Sequence, residues 1–166
     1  TALRGRGDLT VIGGRYGLSS KDTTPAQILA VFEELNKENP KNRFTIGITD
    51  DVTGTSLEVH EPFYPEQGKS VSCKFWGLGS DGTVGANKNT VQIINDHTDK
   101  FAQAYFEYDT KKSFGLTRSH LRFADRPIRS TYYVKSADFV ACHNYTYLEK
   151  YDITEEIRPG GTYLIN

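Results

Sequence analysis

A glycine-rich segment is the part of the sequence whose residue types and spacing offer the clearest chemistry. Residues 77–88 read G-L-G-S-D-G-T-V-G-A-N-K and contain the pattern G-x-G-x-x-G. The glycines that match it are Gly77, Gly79 and Gly82. In such a loop, the first glycine allows a tight turn, the second lets the backbone approach a phosphate, and the third allows a helix to pack closely on a strand. The segment therefore predicts a phosphate-binding site, provided that a strand precedes it and a helix follows it.

The side chains of this loop add hydrogen-bond donors and one negative charge. Ser80 and Thr83 can donate from their hydroxyls, and a helix N-terminus adds unpaired N–H groups with about half a positive charge. The carboxylate of Asp81 opposes an anion, so we expect it to turn outward or to cap the helix. The candidate binding residues of the loop are Gly79, Ser80, Asp81, Gly82, Thr83 and Val84. The alternative is that the glycines serve only tight packing between strand and helix.

Residues beyond the loop bear on the kind of phosphate ligand. A dinucleotide-binding fold places an acidic residue about 20 positions after the motif, where it binds a ribose hydroxyl. The best candidate, Asp109, follows Gly82 by 27 residues and is itself followed by Lys111 and Lys112. Two lysines at this point favour a ligand with an additional phosphate over one with a free ribose. A solvent-exposed basic loop is the open alternative.

The elements that must position the loop alternate between strand and helix. Residues 71–78 are predicted to form a buried strand and residues 85–97 a helix with an apolar side. Further predictions are strands at 104–108, 130–134, 138–142 and 162–165, an edge strand within 110–127, and a helix at 147–157. Upstream, the predictions are strands at 10–14 and 44–49 and, between them, a helix that starts at the capping box Thr24-Pro25-Ala26-Gln27 and ends at Asn39-Pro40. We therefore expect an α/β fold: a partial doubly wound, mostly parallel, Rossmann-like sheet preceded by the end of a second α/β domain.

Composition limits the partners and the compartment. The 166 residues carry 20 basic and 21 acidic side chains, a net charge of -1, which gives no electrostatic case for nucleic acid or an anionic membrane. No apolar run approaches the roughly 20 residues that span a bilayer. Cys73 and Cys142 each sit in an apolar run, as expected for reduced core thiols of a cytoplasmic protein. With no Met and Thr1 as its first residue, the sequence is interpreted as a piece of a longer polypeptide.

One histidine lies where a ligand is expected. His143, with Asn144 after it, follows the predicted parallel strand at 138–142, and ligand clefts in such sheets lie outside the carboxyl ends of the strands. A substrate-side role is one hypothesis for His143, beside a purely structural one. No metal site is predicted, since Asp50-Asp51 is typical of a turn.

Longer stretches of the sequence resemble one known family. Residues 75–88, 108–113 (Tyr-Asp-Thr-Lys-Lys-Ser), 119–123 (Ser-His-Leu-Arg-Phe) and 141–144 (Ala-Cys-His-Asn) resemble the gamma-type domain of pyruvate:ferredoxin (flavodoxin) oxidoreductases. Residues 13–21 and 44–53 resemble the end of the preceding domain in the single-chain form of that enzyme. The resemblance implies the C-terminal part of a transketolase-C-like core domain at 1–62, a linker at 63–70, and the N-terminal part of a coenzyme A-binding domain at 71–166.

The resemblance also implies an activity, cofactors and partners. Members of the family cleave pyruvate oxidatively to acetyl-CoA and CO2 with thiamine diphosphate, Mg2+ and [4Fe–4S] clusters, and they pass electrons to ferredoxin or flavodoxin as cytoplasmic homodimers. This piece would contribute coenzyme A binding without catalysis of its own. Residues 79–84 would hold phosphates of coenzyme A, and Lys111 or Lys112 its phosphorylated ADP end. Phe114 departs from a glycine common in the family, and we expect its bulk to narrow the loop beside those lysines, which puts their exact role in question.

Two other functions stay open at this point. The motif together with Asp109 also fits a nicotinamide-binding dehydrogenase domain. A non-catalytic module for packing or dimerisation is the other alternative, because the 10 Tyr and 9 Phe suit buried interfaces.

Overall fold

The structure is a computed structural model that describes residues 7, 9–17, 22–49, 52–60, 63, 69–109 and 115–166. The chain forms two compact units, Thr1–Pro65 and Glu66–Asn166. Among the described residues, no helix is long and apolar enough to cross a membrane. Over the same residues, no three His, Cys, Asp or Glu side chains are grouped so that they could hold a metal ion.

In its described residues, the first unit combines two short strands with one helix. Strand β1 (Gly14–Tyr16) pairs in parallel with β2 (Phe44–Ile46), and helix α1 (Pro25–Leu35) connects them. The structure thus has this strand at Gly14–Tyr16 instead of the predicted 10–14. Gly14 is needed at this pairing, because a Cβ there would lie 2.1 Å from Cε2 of Phe44.

The capping box predicted at the start of α1 is present. Thr24 Oγ1 accepts a hydrogen bond from the N–H of Gln27 at 3.3 Å, and Gln27 Oε1 accepts one from the N–H of Thr24 at 3.2 Å. The helix ends before the predicted end at residue 39. The carboxylate of Glu34, in the last turn of the helix, accepts a hydrogen bond from the N–H of Lys41 at 2.7 Å. This bond holds the segment that leads from the helix to β2.

In its described residues, the second unit forms a five-stranded sheet with one α-helix. Its elements are β3 (Ser70–Leu78), α2 (Thr83–His97), β4 (Phe101–Tyr108), β5 (Leu116–Ala124), β6 (Ala137–Cys142) and β7 (Ile157–Ile165). The strand order in the sheet is β4-β5-β3-β6-β7. Strand β5 is antiparallel to both of its neighbours, whereas β3, β6 and β7 are mutually parallel. Because β4 is antiparallel to β5, every strand except β5 points in one direction. The predicted α/β class with a mostly parallel sheet is confirmed.

Strand β5 lies inside the sheet, so the prediction of an edge strand within 110–127 is wrong. The polar side chains of β5 suggested exposure, but neighbouring elements supply partners for several of them. Arg118 pairs with Glu107 of β4, and Nε2 of His120 lies 3.4 Å from Oε2 of the same Glu107. On its other side, Nδ1 of His120 accepts a hydrogen bond from the N–H of Val134 at 3.1 Å.

Two other predicted elements are wrong in type. Residues 130–134 are irregular rather than a strand, and the carbonyl of Ser130 accepts a hydrogen bond from Nε2 of Gln103 at 2.8 Å. This segment thereby covers the sheet instead of joining it. Two short 3₁₀ turns, Tyr145–Glu149 and Thr154–Glu156, replace the α-helix predicted at 147–157.

The glycine pair near the end of the chain forms a bulge instead of ending an element. Strand β7 begins at Ile157 and continues through Gly160, whose φ is +80°, to its partner positions beyond. Ala137 pairs with Ile157, yet Phe139 pairs with Thr162, so β7 accommodates extra residues at this point. The last strand is therefore longer than the one predicted at 162–165.

The sheet interior holds both thiols and an ion pair. Cys73 and Cys142 are buried and form no disulfide, as predicted, and burial raises the pKa of Cys73 to about 11. Lys74 is 1% exposed and pairs with the carboxylate of Glu156. Its Nζ lies 5.1 Å from the ring centroid of Trp76. Burial lowers the pKa of Lys74, and the charge of Glu156 acts in the opposite direction.

Candidate functional site

A topological switch point lies between the neighbouring parallel strands β3 and β6, because the chain leaves them in opposite directions; we call the space outside their carboxyl ends the crevice. From β3 the chain passes through α2 to β4, and from β6 it passes through the 3₁₀ turns to β7 on the other side. Thr83 of α2 lies against Gly77, whereas Tyr147 packs with Trp76, whose side chain points to the opposite face of the sheet. Such a topological switch point between parallel strands is where open α/β sheets bind ligands, outside the carboxyl ends of the strands.

Asp81 closes the loop that borders this crevice. Its Oδ2 accepts a hydrogen bond from the N–H of Leu78 at 2.7 Å, and its Oδ1 accepts one from the N–H of Thr83 at 2.8 Å. Burial raises the pKa of Asp81, but the hydrogen bonds from Thr83 and Leu78 and the charge of His143 lower it by more. Of the two predicted orientations, the structure therefore has the capping one, with the carboxylate ionised.

The glycines of the motif have different roles from those predicted. Gly77, not Gly82, allows the helix to pack closely on the strand, because a Cβ at Gly77 would lie 2.8 Å from Oγ1 and 2.9 Å from Cβ of Thr83. Gly82 instead supplies a left-handed conformation, with φ at +89° and open space around the position of its missing Cβ. The N–H of Gly79 donates to the carbonyl of Gly115 at 2.7 Å and is thus engaged within the protein.

Several backbone N–H groups at the start of α2 donate no hydrogen bond to another described residue. The N–H of Thr83 is taken by Asp81, and the first intrahelical hydrogen bond runs from the N–H of Ala86 to the carbonyl of Gly82 at 2.9 Å. In the part of the chain that the structure describes, four N–H groups near the crevice have no protein acceptor. They belong to Ser80, Gly82, Val84 and Gly85. Gly85 was not among the predicted residues, although its place in the first helical turn was the signal for it.

Of the charged residues beyond the loop, the structure describes Lys88 and Asp109. The side chain of Lys88 turns away from the loop, and its Nζ lies 5.4 Å from the ring centroid of Phe106 on β4. Asp109 is exposed, and its N–H donates to the carbonyl of Leu116 at 3.0 Å. The predicted lysines Lys111 and Lys112 lie outside the described residues, as does Phe114.

The opposite wall of the crevice is built by the residues that follow β6. The N–H of His143 donates to the carbonyl of Trp76 at 2.9 Å and extends the pairing of β6 with β3 by one residue. The imidazole stacks on the ring of Phe75, with the centroids 6.4 Å apart and the planes 10° from parallel. Oδ1 of Asn144 accepts hydrogen bonds from the N–H and the hydroxyl of Thr146, at 3.1 Å and 2.8 Å.

A mostly parallel α/β sheet with a glycine loop and a helix N-terminus at its switch point is typical of domains that bind nucleotides and other phosphate ligands. Residues 72–166 match the family model of pyruvate ferredoxin/flavodoxin oxidoreductase. The chain belongs to this family, and the resemblance found in the sequence is confirmed. The match does not favour the two alternatives, a nicotinamide-binding dehydrogenase domain or a packing module.

Curated relatives agree with the family match. The chain is 55% identical over 159 residues to the pyruvate:ferredoxin oxidoreductase of Moorella thermoacetica, with 96% of this chain and 14% of the relative covered. It is 53% identical over 157 residues to the pyruvate-flavodoxin oxidoreductase of Klebsiella pneumoniae, with coverage of 94% and 13%. The chain thus spans about one seventh of the length of these relatives.

A solved structure shares the fold. The crystal structure of pyruvate oxidoreductase subunit PORC from Thermotoga maritima aligns with a TM-score of 0.50 at 21% identity. The alignment covers 60% of this chain and 51% of that chain. At this identity the likeness bears on the fold alone.

Proposed function

We propose that this chain supplies part of the coenzyme A site of a full-length enzyme that oxidatively decarboxylates pyruvate to acetyl-CoA and CO2. One observation carries the proposal: a chain of the pyruvate oxidoreductase family presents unpartnered N–H groups around a helix N-terminus at a topological switch point. Coenzyme A carries phosphates that such donors bind. The chain itself is not catalytic in this proposal.

We assign the phosphate contacts to the loop. The N–H groups of Ser80, Gly82, Val84 and Gly85 would donate to phosphate oxygens, and Asp81 would hold the loop in the shape that exposes them. Thr83 supports that shape because it packs against Gly77. Lys111 and Lys112 would meet the phosphorylated ADP end, a role that rests on the resemblance of residues 108–113 to the family.

We place the remaining chemistry in other parts of the enzyme. A [4Fe–4S] cluster is usually held by four cysteines, and this sequence has two, both buried in the sheet. Thiamine diphosphate, Mg2+ and the clusters would therefore be bound by the rest of the polypeptide. In the same proposal, residues 1–62 are the end of a transketolase-C-like domain, residues 63–70 are a linker, and residues 71–166 begin the coenzyme A-binding domain of a cytoplasmic homodimer.

The electron acceptor is ferredoxin or flavodoxin in this proposal, and it is selected outside these 166 residues. Relatives named for ferredoxin and for flavodoxin match this chain almost equally, at 55% and 53% identity. A segment that chose between the two acceptors would be expected to resemble one group more than the other.

The test adds a carboxylate to the loop without disturbing the helix. Gly85→Asp places a negative charge where a phosphate is expected, at a helix position where an acidic residue is favourable and where a Cβ meets no atom within 4 Å. We expect coenzyme A affinity, measured by titration calorimetry, and its KM in the full-length enzyme to weaken about 10-fold or more, the loss of one hydrogen bond to a charged group. Gln92→Glu adds the same charge on an exposed part of α2 and is the matched control. Equal affinity of the Gly85→Asp protein and the control contradicts the assignment.

A further inference from the structure

We propose that His143 is a second ligand-binding residue, which donates a hydrogen bond from its imidazole to a phosphate of the ligand held by the glycine loop. This inference rests on the proposed function, because it assumes an anionic ligand in the crevice. It adds a side chain from the opposite wall of the crevice, on the strand next to the one that carries the loop.

The backbone fixes where His143 lies. Its N–H donates to the carbonyl of Trp76 at 2.9 Å, one residue before Gly77 and hence beside the start of the glycine loop. Strands β3 and β6 are in parallel register up to Trp76 and Cys142, so their carboxyl ends are level at this point. The two walls of the crevice therefore begin from neighbouring backbone positions.

The imidazole is held in place but its nitrogens are not used. Its ring stacks on Phe75 and is half-buried, yet none of the hydrogen bonds among the described residues involves a ring nitrogen of His143. The buried His120 is the contrast within the same sheet, because both of its ring nitrogens have partners, the N–H of Val134 and the carboxylate of Glu107. A fixed imidazole with unused nitrogens at a ligand crevice is suited to bind a ligand.

The negative charge in the loop would have to be offset by a cationic or hydrogen-bonding group for an anion to bind, and the residues after β6 can supply one. Asp81 keeps its negative charge beside the donors that would hold an anion. Lys88, the lysine at the end of the glycine-rich segment, has its Nζ 5.4 Å from the ring centroid of Phe106 instead. His143 lies beside the start of the loop, because its N–H donates to the carbonyl of Trp76 at 2.9 Å, one residue before Gly77. A hydrogen bond donated by the imidazole of His143 would offset the repulsion that Asp81 exerts on a phosphate.

Asn144, the other residue predicted near this crevice, uses its side-chain oxygen to hold the turn that follows it. Its side-chain oxygen already accepts hydrogen bonds from the N–H and the hydroxyl of Thr146, at 3.1 Å and 2.8 Å. It begins the 3₁₀ turn that carries the chain away from the crevice. The proposal therefore concerns His143 alone.

The experiment compares two substitutions of His143 with wild type, using coenzyme A as the probe. His143→Phe keeps a ring to stack on Phe75 and removes both nitrogens, whereas His143→Gln keeps a donor without the ring. We expect His143→Phe to weaken the Kd of the full chain, and the KM for coenzyme A in the full-length enzyme, about 10-fold or more. His143→Gln should lose less. In nitrogen-detected NMR of the wild type, coenzyme A should shift the ring nitrogens of His143.

The outcomes separate this inference from the proposed function. If Gly85→Asp weakens binding while His143→Phe binds as wild type and the ring nitrogens do not shift, the loop site stands and the role of His143 is overturned. If Gly85→Asp also binds as wild type, the proposed function itself has failed. Loss of binding in both variants, with the NMR shift in the wild type, supports both. The NMR measurement needs no variant, so it decides the matter even where a substituted chain fails to fold.

Discussion

Oδ1 of Asp81 accepts a hydrogen bond from the N–H of Thr83 at 2.8 Å, so an acidic side chain of the glycine loop caps the helix that follows it. The same carboxylate reaches back to the N–H of Leu78 at the end of β3. One residue thereby ties the strand, the loop and the helix together. Its negative charge, which looks unsuited to a phosphate site, has a structural purpose in the loop.

The first prediction concerns this cap. Asp81→Ala should lower the free energy of unfolding by about 1–2 kcal/mol, as for other helix-capping side chains. Asp81→Asn should cost less, because an amide retains one acceptor oxygen for the two N–H groups. Urea titration followed by circular dichroism measures both. Equal stability of all three proteins would show that the two hydrogen bonds are dispensable.

The second prediction separates two glycines of the same segment. Gly77→Ala would place a Cβ 2.9 Å from Cβ of Thr83, and overpacking of this kind costs about 1–3 kcal/mol. Gly85→Ala meets no atom within 4 Å and lies inside α2, so it should stabilise the chain by up to about 1 kcal/mol through helix propensity. Thermal denaturation should move the two midpoints in opposite directions. A Gly77→Ala midpoint at or above that of wild type contradicts the close approach.

The central part of the second unit was predictable because its signals are local. The apolar strand at 71–78, the glycine pattern and the helix after it lie next to one another in the sequence, and the structure has all three. The distribution of roles among the glycines was not predictable in the same way. The angle at which α2 crosses the sheet decides which glycine lies under the helix. That angle is set by tertiary packing and not by the local sequence.

The burial of strand β5, in contrast, could not be predicted from its own sequence. Its sequence, L-T-R-S-H-L-R-F-A, looks half polar, and burial of Arg122 and His120 depends on partners from β4 and from residues 130–134. Those partners are distant in sequence, so no local pattern indicates them. For His143, the strand before it indicated a position at the carboxyl end of the sheet, but its place beside the glycine loop depends on the pairing of β6 with β3.

The third prediction is that acid destabilises the chain in two steps. Burial lowers the pKa of His120 below its ordinary 6.5, with Glu107 acting in the opposite direction. The unfolded chain therefore takes up this proton first, and the free energy of unfolding falls as the pH drops below about 6.5. Glu107 has a pKa below its ordinary 4.5, because of its hydrogen bond with His120 and the charge of Arg118. Its contribution is complete above that value and is lost as the pH falls through the folded-state pKa.

The measurement is urea titration across this pH range with two variants. His120→Gln should flatten the first decline, and Glu107→Gln the second, while both lower stability at neutral pH. A wild-type profile that is flat from neutral pH down to about 4.5 would contradict the buried neutral state of His120.

The fourth prediction concerns the ion pair between Lys74 and Glu156. Lys74 is 1% exposed and Glu156 is 16% exposed at the side chain, so the ammonium is the group with less access to water. Glu156→Gln leaves that ammonium buried without its counterion, which should cost about 3–5 kcal/mol. Lys74→Met should cost less, because an apolar chain of similar length fills the space beside Trp76 and Glu156 retains Lys135 at 3.9 Å. The double variant Lys74→Met/Glu156→Gln should be more stable than Glu156→Gln alone. Urea denaturation of the four proteins completes the cycle, and additive single effects would mean that the two charges do not interact.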